Sequence, residues 1–138
     1  MTNAVIRIWI PGPPVPKGRP RMTRHGHTYT PPRTAQYEET VAFYGLKGMQ
    51  GHPPLTGAVS LVFQAIFPIP KSWSATRQQK AVMSPHIGRP DGDNVIKSVT
   101  DGLNGIAWVD DSQIAEIRFR KVYGKDPGVL LEVSPMAG

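Results

Sequence analysis

The chain has no cysteine among its 138 residues. Disulfide bonds, zinc sites built on thiolates and thiol nucleophiles are therefore excluded, and we expect a reducing, cytoplasmic setting. No apolar run approaches the roughly 20 residues that a membrane helix needs. The apolar segment 4–10 is short, carries Arg7 and runs into prolines, so we expect neither a signal peptide nor a membrane partner.

Acidic residues are also few, with 10 Asp and Glu against 16 Lys and Arg, for a net charge of +6. Residues 1–90 contain only Glu38 and Glu39, whereas five acids lie between residues 91 and 111. A basic protein that gathers carboxylates needs something to offset their repulsion. A hard divalent cation such as Mg²⁺ takes oxygen ligands, and a polyphosphate such as nucleic acid suits the surrounding positive charge. The alternative is a soluble basic protein without an anionic partner.

Prolines and glycines are abundant, 15 and 14, which indicates short elements joined by tight turns rather than a helical bundle. The length fits one domain, residues 1–138. The patterns predict an α+β fold, a small mixed β-sheet flanked by helices. The predicted strands are 4–10, 58–67, 114–122 and 129–133, and the predicted helices are 35–49, 72–83 and 93–103.

Three further predictions concern a helix cap, the burial of one strand and the pairing of two others. Thr34 is expected to be the N-cap of helix 35–49. Strand 58–67 is almost continuously apolar, which is typical of a central strand covered on both faces. The last two strands are expected to pair as a hairpin across the turn between them.

The segment 11–34 is a long loop that contains five basic residues and no acid. Loops of this length are usually functional or disordered, and Thr28–Thr30 is predicted to form a short strand inside it. The composition suits a grip on the DNA backbone; the alternative is a solvated, flexible arm. The residues expected to contact DNA are Lys17, Arg19, Arg21, Arg24, Arg89, Arg118, Arg120 and Lys121.

Asp91 and Asp93 stand at the start of helix 93–103, and two interpretations are open. Either Asp93 caps the helix and Asp91 is a turn residue, or both bind a metal ion. Lys97 either pairs with Asp93 on the helix surface or contacts a phosphate. Asp110 and Asp111 are either an exposed turn or the source of a third carboxylate, which would complete a Mg²⁺ site for phosphodiester hydrolysis.

The segment from Arg89 to Gln113 resembles the signature of the RusA family of Holliday-junction resolvases, which are often carried by phages and prophages. It contains Asp91-Gly-Asp93-Asn94, then Lys97, then Asp101, and then Trp108-Val-Asp110-Asp111-Ser-Gln113. The loop segments 16–21 and 29–31 are similar to the N-terminal loop of many members, so the likeness covers most of the chain.

The resemblance implies a homodimeric, RusA-like endodeoxyribonuclease that uses Mg²⁺, or Mn²⁺ in its place, to resolve four-way DNA junctions in recombination and repair. The family's catalytic residues carry over to Asp91, Asp93, Asp111 and Lys97. Its metal ligands carry over to the same three aspartates, with Asp110 either ligating through an outer shell or bonding the backbone. A two-fold dimer suits this task because two symmetric cuts need two related active sites.

Two rival functions are also compatible with these residues. One is a non-catalytic DNA-binding module whose acids cap helices and pair with lysines. The other is a nuclease on the same scaffold that cuts flaps or linear DNA. In each case the expected partner is DNA in the cytoplasm of a bacterial host.

Overall fold

A computed structural model describes residues 5–137; Ala4, where the first strand was predicted to begin, lies outside them. The strands are β1 (Ile6–Pro11), β2 (Arg21–Met22), β3 (Thr28–Tyr29), β4 (Val59–Pro68), β5 (Ile114–Gly124) and β6 (Gly128–Pro135). The helices are α1 (Pro32–Met49), α2 (Ala75–Ala81) and α3 (Gly92–Leu103), with a 3-10 turn at Asp111–Gln113. Of the helices in this part of the chain, none has the length and apolar content required to cross a bilayer.

Four strands form a mixed sheet in the order β1-β6-β4-β5. β4 and β5 run parallel, whereas β6 runs antiparallel to both β1 and β4. Parallel neighbours need a long crossover connection, and α2 and α3 lie in that connection. The sheet and its helices confirm the predicted α+β class.

The predicted hairpin between the last two strands is wrong. A short turn at residues 125–127 joins β5 to β6, but β4 lies between them in the sheet. Val129, Leu131 and Val133 of β6 are fully buried, as suits a strand with a neighbour on each side. Alternation in the sequence reveals which face of a strand is buried, but it does not reveal which strand pairs with it.

The core lies on one face of the sheet, which we call the inner face. Leu61 and Phe63 of β4 are buried there together with Val41 of α1 and Val99 of α3. Burial alternates along β4, and Val62 on the opposite, outer face is 46% exposed. The prediction that this strand is covered on both faces is therefore wrong. Apolar residues on the outer face made the run look continuous, but both long helices pack on the inner face.

Helix α1 begins earlier than predicted. Pro31 is its N-cap and Pro32 occupies the first helical position, where the N–H that proline lacks would have no helical partner. Thr34 lies inside the helix, buried, and its hydroxyl accepts a hydrogen bond from the N–H of Gly18 at 3.0 Å. The predicted N-cap at Thr34 is wrong because proline starts the helix, which leaves Thr34 to hold the loop.

The basic loop, residues 11–34, is anchored in its first half and exposed in its second. The N–H of Lys17 donates to the carbonyl of Asn94 at 2.8 Å, and the Ser98 hydroxyl donates to the carbonyl of Val15 at 2.6 Å. Residues 21–30 are all exposed, and β2 pairs with β3 there, which confirms the short strand predicted in the loop. The loop therefore crosses the start of α3 before it reaches solvent.

Candidate active site

The start of α3 presents two unpartnered carboxylates. Asp91 is the N-cap residue by its backbone, but its side chain makes no capping hydrogen bond, and Asp93 lies in the first turn. Both residues are exposed, and within residues 5–137 neither carboxylate has a hydrogen bond or ion pair. The interpretation of Asp93 as the N-cap is wrong because the helix starts one residue earlier, at Gly92. Both side chains are free to bind a ligand.

Strand β5 fixes the position of this helix start. A Cβ added to Gly92 would lie 2.7 Å from the Phe119 ring, so only glycine lets α3 approach the strand this closely. Lys121 donates from Nζ to the carbonyl oxygens of Gly88 and Pro90, each at 2.7 Å. The ammonium of Lys121 thus holds the segment that leads into Asp91. Its predicted contact with DNA stays a prediction.

A network of four charged side chains lies beside the helix start. Lys17 of the basic loop pairs with Glu38 of α1 at 3.0 Å and with Asp101 of α3 at 3.1 Å. These three side chains are only 19–23% exposed. Burial lowers the pKa of Lys17, but the hydrogen bonds that its ammonium donates to Glu38 and Asp101 outweigh burial, so the net shift of the pKa is upward. Lys17, predicted to grip DNA, is therefore already paired inside the protein.

Lys97 is the outermost member of this network. Its ammonium contacts Asp101 at 3.1 Å, and its side chain is 61% exposed. The surface pair with Asp93 that the helix spacing suggested is not formed. Because Asp101 also pairs with Lys17, Lys97 can turn toward an anionic ligand without leaving Asp101 unpaired.

The second acidic pair is divided between two tasks. The indole of Trp108, fully buried, donates from Nε1 to Oδ1 of Asp111 at 2.7 Å. Asp110 instead caps the 3-10 turn by accepting the N–H of Ser112 at 3.0 Å. Ser112 lowers the pKa of the Asp110 carboxyl through hydrogen bonds from its side chain first and from its backbone N–H second. The resemblance implied either an outer-shell metal ligand or a hydrogen bond to the backbone for Asp110, and the structure shows the hydrogen bond to the backbone.

Gln113 holds this turn in place, a role that sequence reasoning missed. Its side-chain oxygen accepts the N–H of Asp110 at 2.8 Å. Its amide donates to the carbonyls of Leu55 and Gly57 at 2.8 and 2.9 Å. The spacing of Asp110 and Gln113, which matches a capping box, was the signal that could have revealed it.

The carboxylates of this site suit Mg²⁺ if a bound phosphate supplies further ligands. Within residues 5–137, no three Asp, Glu or His side chains are arranged to hold a metal ion. Mg²⁺ is commonly bound by one or two carboxylates together with waters and substrate phosphates. Asp91 and Asp93 offer two such carboxylates, and Asp111 keeps one oxygen that does not contact Trp108. The oxygens of a bound phosphate would supply the remaining ligands of the ion.

A cleft of about 490 Å³ opens between the basic loop and the start of α3. Asp91 and Asn94 line it on one side, and Arg33, Arg89 and Phe67 line it on the others. Two guanidinium groups beside an unpaired carboxylate create a place where a phosphate and a cation can bind together. Arg33, the fifth basic residue of the loop, was not among the predicted DNA contacts, and its place in this cleft appears only in three dimensions.

The other predicted DNA contacts fall in two places. Arg19, Arg21 and Arg24 are exposed on the basic loop. Arg118 and Arg120 pair in register with Val62 and Gln64 on the outer face. The structure places Arg89 in the cleft that Asp91 lines and Arg19 and Arg21 in a neighbouring pocket that shares Arg33 with it, whereas the two β5 arginines lie on the outer face.

Comparison with known proteins gives two findings. The family model described as "Endodeoxyribonuclease RusA" matches residues 11–134. The chain is also 34% identical over 133 residues to a Bacillus subtilis (strain 168) protein described as "Uncharacterized protein YqaN", covering 90% of this chain and 92% of that protein. The family match spans every site residue described above.

The ion pairs of Lys17 predict a pH-dependent stability. Because folding raises the pKa of Lys17, its contribution is complete below the pKa of an unfolded lysine, about 10.4, and is lost as pH rises through the higher, folded pKa. Lys17→Met should lower the free energy of unfolding by about 1–2 kcal/mol at pH 7. The deficit should shrink above pH ~10.4. Urea unfolding of the wild type and of Lys17→Met from pH 7 to 11 measures this difference in the free energy of unfolding.

The matched control is Lys125→Met, which alters an exposed lysine in the β5–β6 turn. It should leave stability nearly unchanged at each pH. A Lys17→Met deficit that stays constant up to pH 11 would contradict the role given to these ion pairs.

Proposed function

Because this chain belongs to the RusA family of endodeoxyribonucleases, we propose that it resolves four-way DNA junctions in a Mg²⁺-dependent reaction, by paired symmetric cuts in the phosphodiester backbone. The family carries the nuclease activity and its action on branched DNA. Our proposal adds the metal, the homodimer and the roles of individual residues. The observation that carries it is the free carboxylate of Asp91 in a cleft lined by Arg33 and Arg89, with a second free carboxylate, Asp93, two residues later in the first turn of α3.

Asp91 and Asp93 would hold the metal together with a substrate phosphate. Asp111, which the described residues do not gather with them into a three-carboxylate site, would be the third ligand that the family resemblance implies. When bound, Mg²⁺ polarises the phosphoryl oxygens, lowers the pKa of an attacking water and stabilises the leaving alkoxide. Trp108 orients Asp111 through the indole hydrogen bond, which fixes one rotamer before substrate arrives. Because that orientation is set in advance, little reorganisation is needed when substrate binds.

Lys97 is the residue that would neutralise the scissile phosphate. Its side chain is mostly exposed, and Asp101 retains Lys17 as a partner when Lys97 moves. Arg33 and Arg89 line the adjoining cleft and would hold the phosphate beside it, where bidentate guanidinium contacts orient as well as attract. Asp110 keeps its cap and supports Asp111 from the backbone, rather than binding the ion itself.

The outer face of the sheet is the surface we propose for the homodimer. Trp9, Val62 and Leu130 lie on it and are 37–46% exposed. Trp9 and Leu130 are register neighbours, and Val62 lies between Glu132 and Arg118; exposed apolar surface rimmed by polar residues commonly marks an interface. Glu116 and Arg118 lie at its margin on β5. Opposite charges on one surface suit a two-fold interface, which must be complementary to itself. β5 is an edge strand, so its arginines would remain at the rim, within reach of DNA.

The first prediction concerns catalysis. A synthetic four-way junction should be nicked symmetrically with Mg²⁺ and not with EDTA, and a matched linear duplex should stay intact. Asp93→Asn should lower the rate at least ~100-fold, because the missing charge weakens transition-state stabilisation by several kcal/mol. Mg²⁺ should also raise the melting temperature of the wild type more than that of the variant.

Asp126→Asn, at an exposed aspartate in the β5–β6 turn, is the matched control and should cut like the wild type. Tight junction binding without cleavage in any metal would support the binding-module alternative. Equal cutting of junction and duplex would keep the nuclease and reject junction selectivity.

The second prediction concerns the DNA grip. Removing Arg19 and Arg21 together should weaken binding of an uncleaved junction and reduce the slope of log K against log salt by about 2, since each phosphate contact contributes about 0.9. Fluorescence anisotropy at several salt concentrations measures both quantities. Lys47→Ala removes a charge at the far end of α1 and should leave the slope unchanged. A double variant with unaltered affinity and slope would show that the loop does not bind DNA.

The third prediction concerns the dimer. Light scattering should give twice the chain mass at micromolar concentrations. Val62→Asp should yield a folded monomer, because it places a charge in the outer face. Leu46→Asp changes a residue that is 62% exposed on α1 and should remain dimeric. A monomeric wild type, or equal dissociation by both variants, would rule out this surface.

A further inference from the structure

Ile87 is the most exposed large apolar side chain in the described part of the chain, at 93%. It lies between α2 and α3, four residues before Asp91. An isoleucine gains free energy by leaving water, so almost complete exposure of one is unfavourable for the isolated subunit. The free-energy cost of this exposure is removed if the side chain becomes buried when a partner binds.

The backbone on both sides of Ile87 is tied to β5. The N–H of His86 donates to the carbonyl of Lys121 at 3.0 Å, and the Lys121 ammonium returns to the carbonyl of Gly88 at 2.7 Å. The ring of His86 also stacks on Phe67, with centroids 4.1 Å apart. Ile87 is therefore presented at the tip of a braced segment, and its exposure does not depend on a loose loop.

The same segment leads directly into the candidate site. Arg89 is exposed two residues later and lines the cleft beside Asp91. Lys121 bonds the carbonyl of Pro90 as well as that of Gly88. A DNA strand whose phosphate binds Arg89 would therefore bring neighbouring nucleotides to the tip that carries Ile87.

We propose that Ile87 inserts against unstacked bases at the branch point of the DNA and thereby distinguishes a four-way junction from a duplex. This inference rests on the proposed function. Apolar side chains such as isoleucine serve as wedges between base steps in proteins that distort DNA. Insertion into a continuous duplex must first break stacking, whereas base pairs at an open branch point already lack a stacked neighbour.

This wedge differs from the basic loop in what it contributes. Contacts to phosphate position the protein and are made on any DNA. A small apolar side chain has no charge to offer phosphate, so its contribution depends on access to a base face. Ile87 should accordingly affect the ratio of junction to duplex affinity more than it affects duplex affinity.

The test compares wild type, Ile87→Ala and Ile87→Met by anisotropy with a four-way junction and a matched duplex, in EDTA. A parallel junction carries 2-aminopurine at the branch point, whose fluorescence rises when the base is unstacked. We expect Ile87→Ala to lose at least 10-fold in junction preference and to lose the fluorescence rise. Ile87→Met keeps apolar reach and should preserve both. Leu46→Ala, at another exposed apolar residue, should match the wild type.

Several results would overturn the wedge while the proposed function stands. The first is that the wild type cuts junctions while Ile87→Ala keeps its full junction preference and the fluorescence rise. Equal loss of junction and duplex affinity is another, since it would make Ile87 a general DNA contact. A change in mass by light scattering would place Ile87 between subunits instead. Wild type that neither binds nor cuts the junction would reject the wedge and the proposed function together.

Discussion

The ammonium of Lys17 is the point at which three separate segments of this protein meet. It belongs to the basic loop and pairs with Glu38 of α1 and Asp101 of α3. The two helices are in turn in close contact, since a Cβ on Gly102 would lie 2.7 Å from Val41. With the loop held across the start of α3, its Arg33 and the carboxylate of Asp91 line one cleft. The cleft depends on this arrangement.

The few acids of a basic chain are thereby divided by task. Glu38 and Asp101 neutralise lysines in a partly buried network, and Asp110 caps a turn. Asp91 and Asp93 have no such partner within the described residues. Carboxylates with internal partners stabilise the fold, and carboxylates without them remain available to a cation. The local excess of negative charge is therefore smaller than the sequence suggests, and it is concentrated at the helix start.

The secondary-structure elements and the acidic motif could be predicted from the sequence, but the way the elements pack against one another could not. The short strand in the loop, the three helices and the α+β class follow from local patterns, and each is found in the structure. The hairpin of β5 with β6 is wrong because β4 lies between them. The N-cap at Thr34 is wrong because Pro31 and Pro32 start the helix earlier, which leaves the Thr34 hydroxyl to accept the N–H of Gly18. The first error concerns strands that are far apart in the chain, and the second concerns the preference of proline for the first helical position.

The sequence by itself determined the α+β character, the positive charge and the spacing of the acidic motif, because periodicity and composition are properties of neighbouring residues. The tertiary structure alone decided that Lys17 is an internal ion-pair partner, that Trp108 orients Asp111 and that Ile87 stands in solvent. The ion pairs of Lys17 depend on distant segments approaching one another, and the bond from Trp108 to Asp111, although it joins residues only three apart, depends on how the indole is buried. Burial and hydrogen bonding are set by that approach, and no local pattern in the chain records it.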